Sequence, residues 1–158
     1  MLRHTSAASL RLDLSSSRAR GLRGASRGAA RAEDHVSLNA ILYGPSKSRW
    51  CMTERSSTAL SQSSAYLAIG PSAMRLADNG ITIEIDERAT PFRQRVRGVV
   101  QIQFEKRGDT CFELDDAGEH WWWPIAPLAR MQVAMERPAL EWKGSAYMDS
   151  NFGARPIE

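Results

Sequence analysis

Beyond residue 35 the chain alternates between short apolar segments and turn-forming residues. In the clearest segment, Ile81-Thr-Ile-Glu-Ile85-Asp, apolar and polar positions alternate with a period of two, which predicts a half-buried β-strand. The preceding Asp78-Asn79-Gly80 favours a tight hairpin turn. Val96–Phe104 continues the alternating pattern over a longer stretch. The other predicted strands are Val36–Tyr43, Trp50–Thr53, Tyr66–Ile69, Met74–Leu76, Cys111–Leu114, His120–Trp123, Met131–Met135 and Leu140–Lys143.

No segment sustains an apolar stripe of helical period with capping residues at both ends. Short strands separated by turn signals are instead typical of antiparallel sandwiches and barrels. We therefore predict an all-β fold, either an antiparallel barrel or a sandwich. Of the 158 residues, 42% are hydrophobic and 25% charged, so the chain can bury a core as an ordinary globular domain does.

The first 33 residues differ from the rest in composition and charge. Residues 1–32 contain seven arginines and a single acid, Asp13, whereas the remainder has 14 basic and 17 acidic residues. The net charge of +3 therefore reflects the tail, and the mildly acidic body argues against nucleic-acid binding. We predict that residues 1–33 form a disordered Arg/Ser/Ala-rich tail. A transit peptide, or a misassigned start upstream of the true protein, would have the same composition.

Cysteine usage and hydropathy restrict the class of protein. Cys51 and Cys111 lack the spacing of a metal site or a redox motif, which predicts two reduced thiols in a cytosolic protein. No apolar run approaches the length of a membrane span, and no secretory signal is visible. The sequence thus predicts a soluble or peripherally bound protein without a metal site.

Aromatic and ionisable residues near the C-terminus are the candidates for chemistry. Three consecutive tryptophans follow His120, and a Tyr147-x-Asp149 pair lies further along the chain. In extended segments His120 and Trp122 would share one face, as would Tyr147 and Asp149, while the tryptophans on either side of Trp122 would point the opposite way. Two simpler interpretations remain open. Asp149 precedes a turn-forming Ser-Asn-x-Gly run, and a histidine beside tryptophans is often a hydrogen-bonded core residue.

The most specific sequence blocks are His120-x-Trp122-Trp-Pro-Ile-Ala-Pro127 and Tyr147-x-Asp149-Ser-Asn-x-Gly153. They are accompanied, in order, by Ser37–Pro45, Trp50–Arg55, Leu67–Ala73 and Ile81–Glu87. Through these blocks the chain, from about Asp34 to Glu158, resembles the carotenoid 1,2-hydratase family, also called hydroxyneurosporene synthase.

This resemblance implies an enzyme of carotenoid biosynthesis in photosynthetic bacteria. Such an enzyme adds water across the terminal C1=C2 double bond of acyclic carotenes such as neurosporene or lycopene, and it uses no organic cofactor. The resemblance also implies lipocalin-like β domains, with residues 34–143 as one domain and residues 144–158 as the start of a truncated second one. We therefore expect this chain to be an inactive fragment of a hydratase.

Four residues match the family's proposed functional residues, namely His120, Trp122, Tyr147 and Asp149. Asp149 would be the general acid that protonates C2, kept protonated by an apolar pocket. Trp122 and Tyr147 would stabilise the resulting cation through their π-faces. His120 would hold the water, accept its proton or orient Asp149.

The implied partner is a hydrophobic carotene, taken up through peripheral contact with a membrane. The protein would then be cytoplasmic or associated with the inner photosynthetic membrane. Arg93, Arg95 and Arg97 alternate along one predicted strand face and would be suited to contact anionic headgroups. The acid pairs Asp86–Glu87 and Asp115–Asp116 are expected to be turn charges.

Two alternatives to a hydratase remain at this point. One is a non-catalytic lipocalin-like binding protein for a terpenoid or lipid, which would keep an apolar cavity without needing Asp149. The other is a degraded gene product that does not fold stably. No oligomeric state follows from the sequence.

Overall fold

The computed structural model describes residues 9–16 as backbone, and residues 36–44 and 48–153 with their side chains. In these ranges the chain forms strands β1 (Ser9–Ser16), β2 (Val36–Tyr43), β3 (Arg49–Arg55), β4 (Leu60–Gln62), β5 (Tyr66–Ile69), β6 (Ser72–Ala77), β7 (Gly80–Arg88), β8 (Arg95–Lys106), β9 (Phe112–Glu113), β10 (His120–Arg137) and β11 (Leu140–Gly153). A short 3₁₀ turn, Ser57–Ala59, precedes β4. Among the described residues, no helix has the length and apolar character needed to cross a membrane.

The described strands form two antiparallel sheets. The smaller has the strand order β1-β2-β3, and the larger has the order β11-β10-β8-β7-β6-β5-β4, with β9 paired to the start of β10. Within the described residues, neither sheet closes on itself. The all-β prediction is therefore confirmed, and of the two predicted architectures the structure is the open, sandwich-like one.

The core lies between the two sheets. Alternation in β7 buries Ile81, Ile83 and Ile85, which matches the period-two pattern of the sequence. These side chains form one cluster with Leu38 and Cys51 of the smaller sheet. Burial of about 25 cal/mol per Å² of apolar surface stabilises such a cluster. Each sheet thus covers the apolar face of the other.

Strand β1 lies within the stretch predicted to be a disordered tail. Its eight residues pair in register with β2, from Ser9 opposite Tyr43 to Ser16 opposite Val36. The prediction of disorder is therefore not met for Ser9–Ser16. The remaining residues of the predicted tail lie outside the described ranges.

The C-terminal strands are longer than the sequence predicted. The predicted segments His120–Trp123 and Met131–Met135 belong to a single strand, β10, because Pro124 and Pro127 are accommodated by two register shifts against β11. Proline has no N–H to donate to a sheet ladder, so bulges are where a sheet tolerates it. The predicted domain boundary after residue 143 falls inside β11.

A buried ionic cluster joins the sheets. Glu87 is only 3% exposed, and its carboxylate accepts hydrogen bonds from Arg55 and Thr53 of β3 and from Ser72 of β6. The expectation that Glu87 is a turn charge was therefore wrong. It continues the inward parity of Ile81, Ile83 and Ile85, and its neighbour Asp86 pairs with Arg95.

Both cysteines are free thiols, as predicted. Cys51 is buried, and its pKa is raised to about 11 by desolvation and by the nearby charge of Glu87. Cys111 is exposed in the segment that leads into β9. A thiol with a raised pKa remains protonated near neutrality, so Cys51 acts as a small apolar core residue.

Candidate functional site

The two long strands β10 and β11 form a ribbon whose two faces differ in exposure. In β11 the even-numbered residues from Leu140 to Ser150 are partly buried, and Ala146 and Met148 pack against the core. The odd-numbered residues of the strand, which include Tyr147 and Asp149, are exposed. We call the side of the ribbon that carries Tyr147 and Asp149 the outer face.

Trp122, Tyr147 and Asp149 meet on this outer face. Trp122 lies opposite Asn151 in the register, so its ring is diagonal to Asp149 on the neighbouring strand. The indole Nε1–H of Trp122 donates to Oδ2 of Asp149 at 2.9 Å, and the Tyr147 hydroxyl donates to the same oxygen at 3.4 Å. Two donors from two strands therefore fix the orientation of one carboxyl group.

A third aromatic ring lies beside Trp122. The Phe112 ring of β9 lies 5.4 Å from the Trp122 ring, centroid to centroid, at an interplanar angle of 35°. Desolvation, and then the charge of Asp149, raise the pKa of Tyr147 above its ordinary value. The phenol therefore stays protonated and able to donate at neutral pH.

His120 is held by a carboxylate from the preceding turn. Its Nδ1 is hydrogen-bonded to Oδ2 of Asp115, whose other oxygen accepts the backbone N–H of Glu119 at 2.9 Å. The bond to His120, followed by the bond to the Glu119 N–H, lowers the pKa of Asp115. Gly118 closes this turn with a φ of +64°, a conformation that favours glycine. The turn between β9 and β10 thus orients the imidazole.

Gly153 gives His120 the room that it needs. The two residues lie opposite each other in the register of β10 and β11. A Cβ added at Gly153 would come within 2.7 Å of both His120 Cδ2 and the backbone oxygen of Glu119. Only glycine therefore allows the imidazole to lie against β11 at this point.

Of the four predicted residues, the structure brings Trp122, Tyr147 and Asp149 into direct contact. It places His120 on the same face, two residues before Trp122. The hydrogen bonds that Asp149 accepts from Trp122 and Tyr147 orient its carboxyl group, and His120 is hydrogen-bonded to Asp115. Of the two simpler interpretations, the one that places Asp149 in a turn is wrong, because Asp149 lies within β11. The other agrees with the structure in part, because the His120 side chain is largely buried and hydrogen-bonded to Asp115.

The described residues leave the Asp149 side chain exposed and Tyr147 51% exposed. The apolar pocket expected around Asp149 therefore stays a prediction for the longer protein. The neighbouring tryptophans point the other way, as the alternation predicts. Trp121 donates to the Gly118 oxygen at 3.2 Å and Trp123 to the Gly108 oxygen at 2.9 Å.

Three contributors to the site were missed by the sequence reasoning. Asp115 was interpreted as a turn charge, although an acid five residues before a histidine across a hairpin turn is a signal for such a pair. Gly153 ends the Tyr147-x-Asp149-Ser-Asn-x-Gly153 block, but the sequence did not explain why a glycine is needed there. Its position opposite His120 in the register gives the explanation. No sequence feature identified Phe112 as part of the site, because its contact with Trp122 depends on the pairing of β9 with β10.

Residues 23–158 match the family model described as carotenoid hydratase CrtC. The chain is similar to the acyclic carotenoid 1,2-hydratase of Thiocapsa roseopersicina, with 43% identity over 125 residues, which cover 79% of the chain and 31% of that protein. The acyclic carotenoid 1,2-hydratase of Rubrivivax gelatinosus is 38% identical over 126 residues, covering 80% of the chain and 31% of the relative. The enzyme of the same name from Cereibacter sphaeroides is 35% identical over 127 residues, covering 80% and 45%.

The chain therefore spans about a third of the length of the first two of these relatives. No solved structure matches it. The family model covers most of the chain, including both strands that carry the outer-face residues. On this match the chain belongs to the carotenoid hydratase CrtC family.

Proposed function

We propose that this chain carries the proton-donating part of an acyclic carotenoid 1,2-hydratase, which adds water across the terminal C1=C2 double bond of an acyclic carotene. The observation that carries the proposal is the convergence of Trp122 Nε1 and the Tyr147 hydroxyl on one oxygen of Asp149. The relatives named above carry the name of that activity, and the family model extends over both strands that hold these three residues.

Hydration of an isolated alkene is limited by protonation of carbon, so it requires a well-oriented acid. Because both donors occupy Oδ2, the proton to be transferred is carried on Oδ1 of Asp149. The π electrons of C1=C2 form the new C2–H bond, which leaves a tertiary cation at C1 and a carboxylate at Asp149. The faces of Trp122 and Tyr147 attract that cation, by about 2 kcal/mol or more when water is excluded.

In the second step the oxygen of water bonds to C1. The hydrogen bond between Asp115 and Nδ1 of His120 holds the ring in a fixed orientation. His120 accepts the surplus proton of the water, and a proton returns through solvent to Asp149. The net change is one alkene and one water converted into a tertiary alcohol, with no redox step.

The exposure of the outer face determines whether this chain can hydrate a carotene by itself. With Tyr147 half exposed, water competes with the aromatic faces for the cation. We therefore expect no hydration by the 158 residues alone, and activity only where further protein covers this face.

Peripheral contact with an anionic membrane is also part of this proposal. Phe92, in the loop between β7 and β8, is 83% exposed, with Arg88 and Arg93 exposed beside it. An aromatic side chain flanked by arginines suits insertion into a headgroup region. The prediction that Arg93, Arg95 and Arg97 form one strand face was wrong, because Arg93 precedes β8. Arg95 and Arg97 are in ion pairs with Asp86 and Glu136, respectively.

A chimeric enzyme tests the proposed hydration. The aligned 125-residue segment of the Thiocapsa roseopersicina enzyme is replaced by that of this chain, and lycopene is supplied in membranes. We expect a hydroxylated product from the chimera, its loss in Asp149→Asn, and its retention in Asp116→Asn, which changes an exposed turn carboxylate. Undiminished product from Asp149→Asn would remove Asp149 as the proton donor. Hydration by the 158-residue chain alone would contradict the need for a covered face.

A further inference from the structure

Strand β11 forms one edge of the larger sheet, because the strand order of that sheet begins with β11 and β10. With 14 residues β11 is the longest edge strand of the described residues, whereas β4, at the opposite edge, has three. The backbone groups of β11 that point away from β10 have no strand partner among the described residues. A long edge of this kind is a template for pairing with another chain.

The features that commonly protect a sheet edge are nearly absent from β11. The strand contains no proline and a single lysine, Lys143. The two register shifts of the ribbon add residues to β10, between Trp123 and Ala129, while exposure in β11 alternates without interruption from 140 to 151. The free edge of β11 therefore keeps the regular pleat that a partner strand requires.

The exposed charges of β11 are arranged symmetrically about Ala146. Lys143 lies three residues before Ala146, and Asp149 lies three residues after it, with both side chains on the outer face. Within the described residues, neither Lys143 nor Glu141 forms an ion pair. A two-fold axis at Ala146 would place Lys143 of each copy opposite Asp149 of the other.

We propose that β11 pairs antiparallel with β11 of a second copy of this chain, about a two-fold axis at Ala146. Opposite residues of an antiparallel pair lie on the same face, so an axis through a residue joins the outer faces of the two copies. The pairing spans residues 140–152. It rests on the edge and its charges, and it does not depend on the proposed hydratase function.

The charges distinguish this register from the other face-matching ones. An axis at residue 143 would place Lys143 opposite itself, and an axis at residue 149 would do the same to Asp149. An axis at residue 145 would place Glu141 opposite Asp149. Like charges directly opposite each other destabilise a sheet. An axis at residue 142 would pair Glu141 with Lys143, but only over the short stretch 140–144.

Side-chain sizes on the inner side of the ribbon fit the same register. Trp142 lies opposite Ser150 of the second copy, and Met148 lies opposite Gly144, so that a large side chain meets a small one in both cases. Ala146 lies opposite itself. Trp142 and Met148 are only partly buried in a single copy, and pairing removes more of their apolar surface from water.

The paired form has a consequence for Asp149, and this consequence alone rests on the proposed function. Oδ2 of Asp149 already accepts hydrogen bonds from Trp122 and Tyr147, so the ammonium group of Lys143 from the second copy would bind Oδ1. A neighbouring cation favours the carboxylate over the carboxylic acid. The self-paired form would therefore be unable to donate a proton to an alkene.

Sedimentation of the full chain over a range of concentrations tests the assembly. We expect a dimer whose dissociation constant rises about tenfold or more in Lys143→Glu, which places like charges opposite each other. Glu141→Lys is the matched control, because it reverses an exposed charge whose opposite residue is Asn151, and it should not weaken the dimer. A second variant, Lys143→Glu with Asp149→Lys, exchanges the two charges and should restore dimerisation. A monomer at all concentrations, equal losses in the two single reversals, or no restoration would overturn the proposal, whatever the outcome for hydration.

Distances between spin labels test the register. Glu141→Cys and Asn151→Cys are labelled separately in a Cys111→Ser background, in which the remaining cysteine, Cys51, is buried. Each label lies five residues from Ala146, so we expect the same distance of about 33 Å between the two copies for both labels. An axis at any other residue would lengthen one distance and shorten the other. Unequal distances would therefore contradict the axis at Ala146.

Discussion

Arg55 and Glu87 form an ion pair between the two sheets, with Arg55 Nη2 at 2.9 Å from Oε2 of Glu87. The glutamate side chain is almost completely buried, while the arginine is about a fifth exposed. Arg55 also lies against Gly70, where an added Cβ would come within 2.5 Å of its Nε. A charge buried this deeply depends on its partners, so the pair couples the position of β3 to that of β7.

Removing the arginine should therefore destabilise the fold strongly. We expect Arg55→Ala to lower the free energy of unfolding by about 3 kcal/mol, because it leaves the buried Glu87 carboxylate with two hydroxyl donors alone. Arg75→Ala is the matched control, since Arg75 and Glu84 form a half-exposed pair on β6 and β7. That control should cost less than about 1 kcal/mol. Urea unfolding measures both, and equal losses would contradict the special role of the buried pair.

Glu87 illustrates which structural features can be predicted from the sequence and which cannot. The alternation that predicted β7 continues through Ile81, Ile83 and Ile85 to Glu87, so its inward direction was implicit in the same pattern. It was overlooked because two adjacent acids are more often found in turns. Burial of a carboxylate also requires Arg55 and Ser72 from other strands, which no local pattern reveals.

The candidate site was predictable in its residues and less so in its environment. Alternation places Trp122 on one side of its strand and Tyr147 with Asp149 on one side of theirs, and the structure agrees. Which side faces the core depends on how the sheets pack, so the exposure of Asp149 was not foreseen. The pairing of His120 with Asp115 likewise depends on the geometry of the turn before β10.

The Asp115–His120 pair predicts a pH dependence of stability. The pKa of Asp115 is lowered in the folded chain, so its contribution is complete above the ordinary value of 3.8 and is lost as the pH falls through the lower folded value. We expect Asp115→Asn to unfold at a lower temperature than the parent at pH values above 3.8, and the difference to shrink in more acidic solution. Asp116→Asn, at the exposed neighbouring position, should show no such trend. A difference between Asp115→Asn and the parent that does not change with pH would contradict this linkage.

Gly153 is predicted to be indispensable for the position of His120. In Gly153→Ala the added methyl group would overlap the imidazole and the Glu119 oxygen, so we expect the ring to move and the chain to lose about 1–3 kcal/mol of stability. Gly144→Ala in the same strand is the control, because the nearest atom to its added Cβ is a methionine methyl group at 3.9 Å. The His120 ring signals in NMR and the thermal unfolding midpoint measure both effects. Equal behaviour of the two variants would show that the close approach does not constrain His120.

Phe92 is predicted to mediate membrane contact. It lies in the loop before β8, which the register places at the opposite end of the larger sheet from Trp122. We expect Phe92→Ser to lower partitioning onto anionic vesicles about tenfold, because an aromatic side chain is removed from the headgroup region. Leu114→Ser changes an exposed apolar residue at the other end and should partition like the parent. Sedimentation with vesicles measures both, and equal losses would exclude a specific role of this loop.

The hydrogen bond from Trp122 to Asp149 yields the sharpest prediction for activity. In the chimera, Trp122→Phe keeps an aromatic face but removes the N–H that donates to Oδ2, so the carboxyl group loses the shorter of its two donors. We expect kcat/KM for lycopene hydration to fall by about 10²-fold, the order of effect seen when one preorganised donor is removed. Trp121→Phe removes an indole N–H of the same strand, whose partner is the Gly118 oxygen on the opposite face, and should cost much less. If the two variants lose activity equally, the donation to Asp149 has no catalytic role, and the aromatic cluster contributes only to folding.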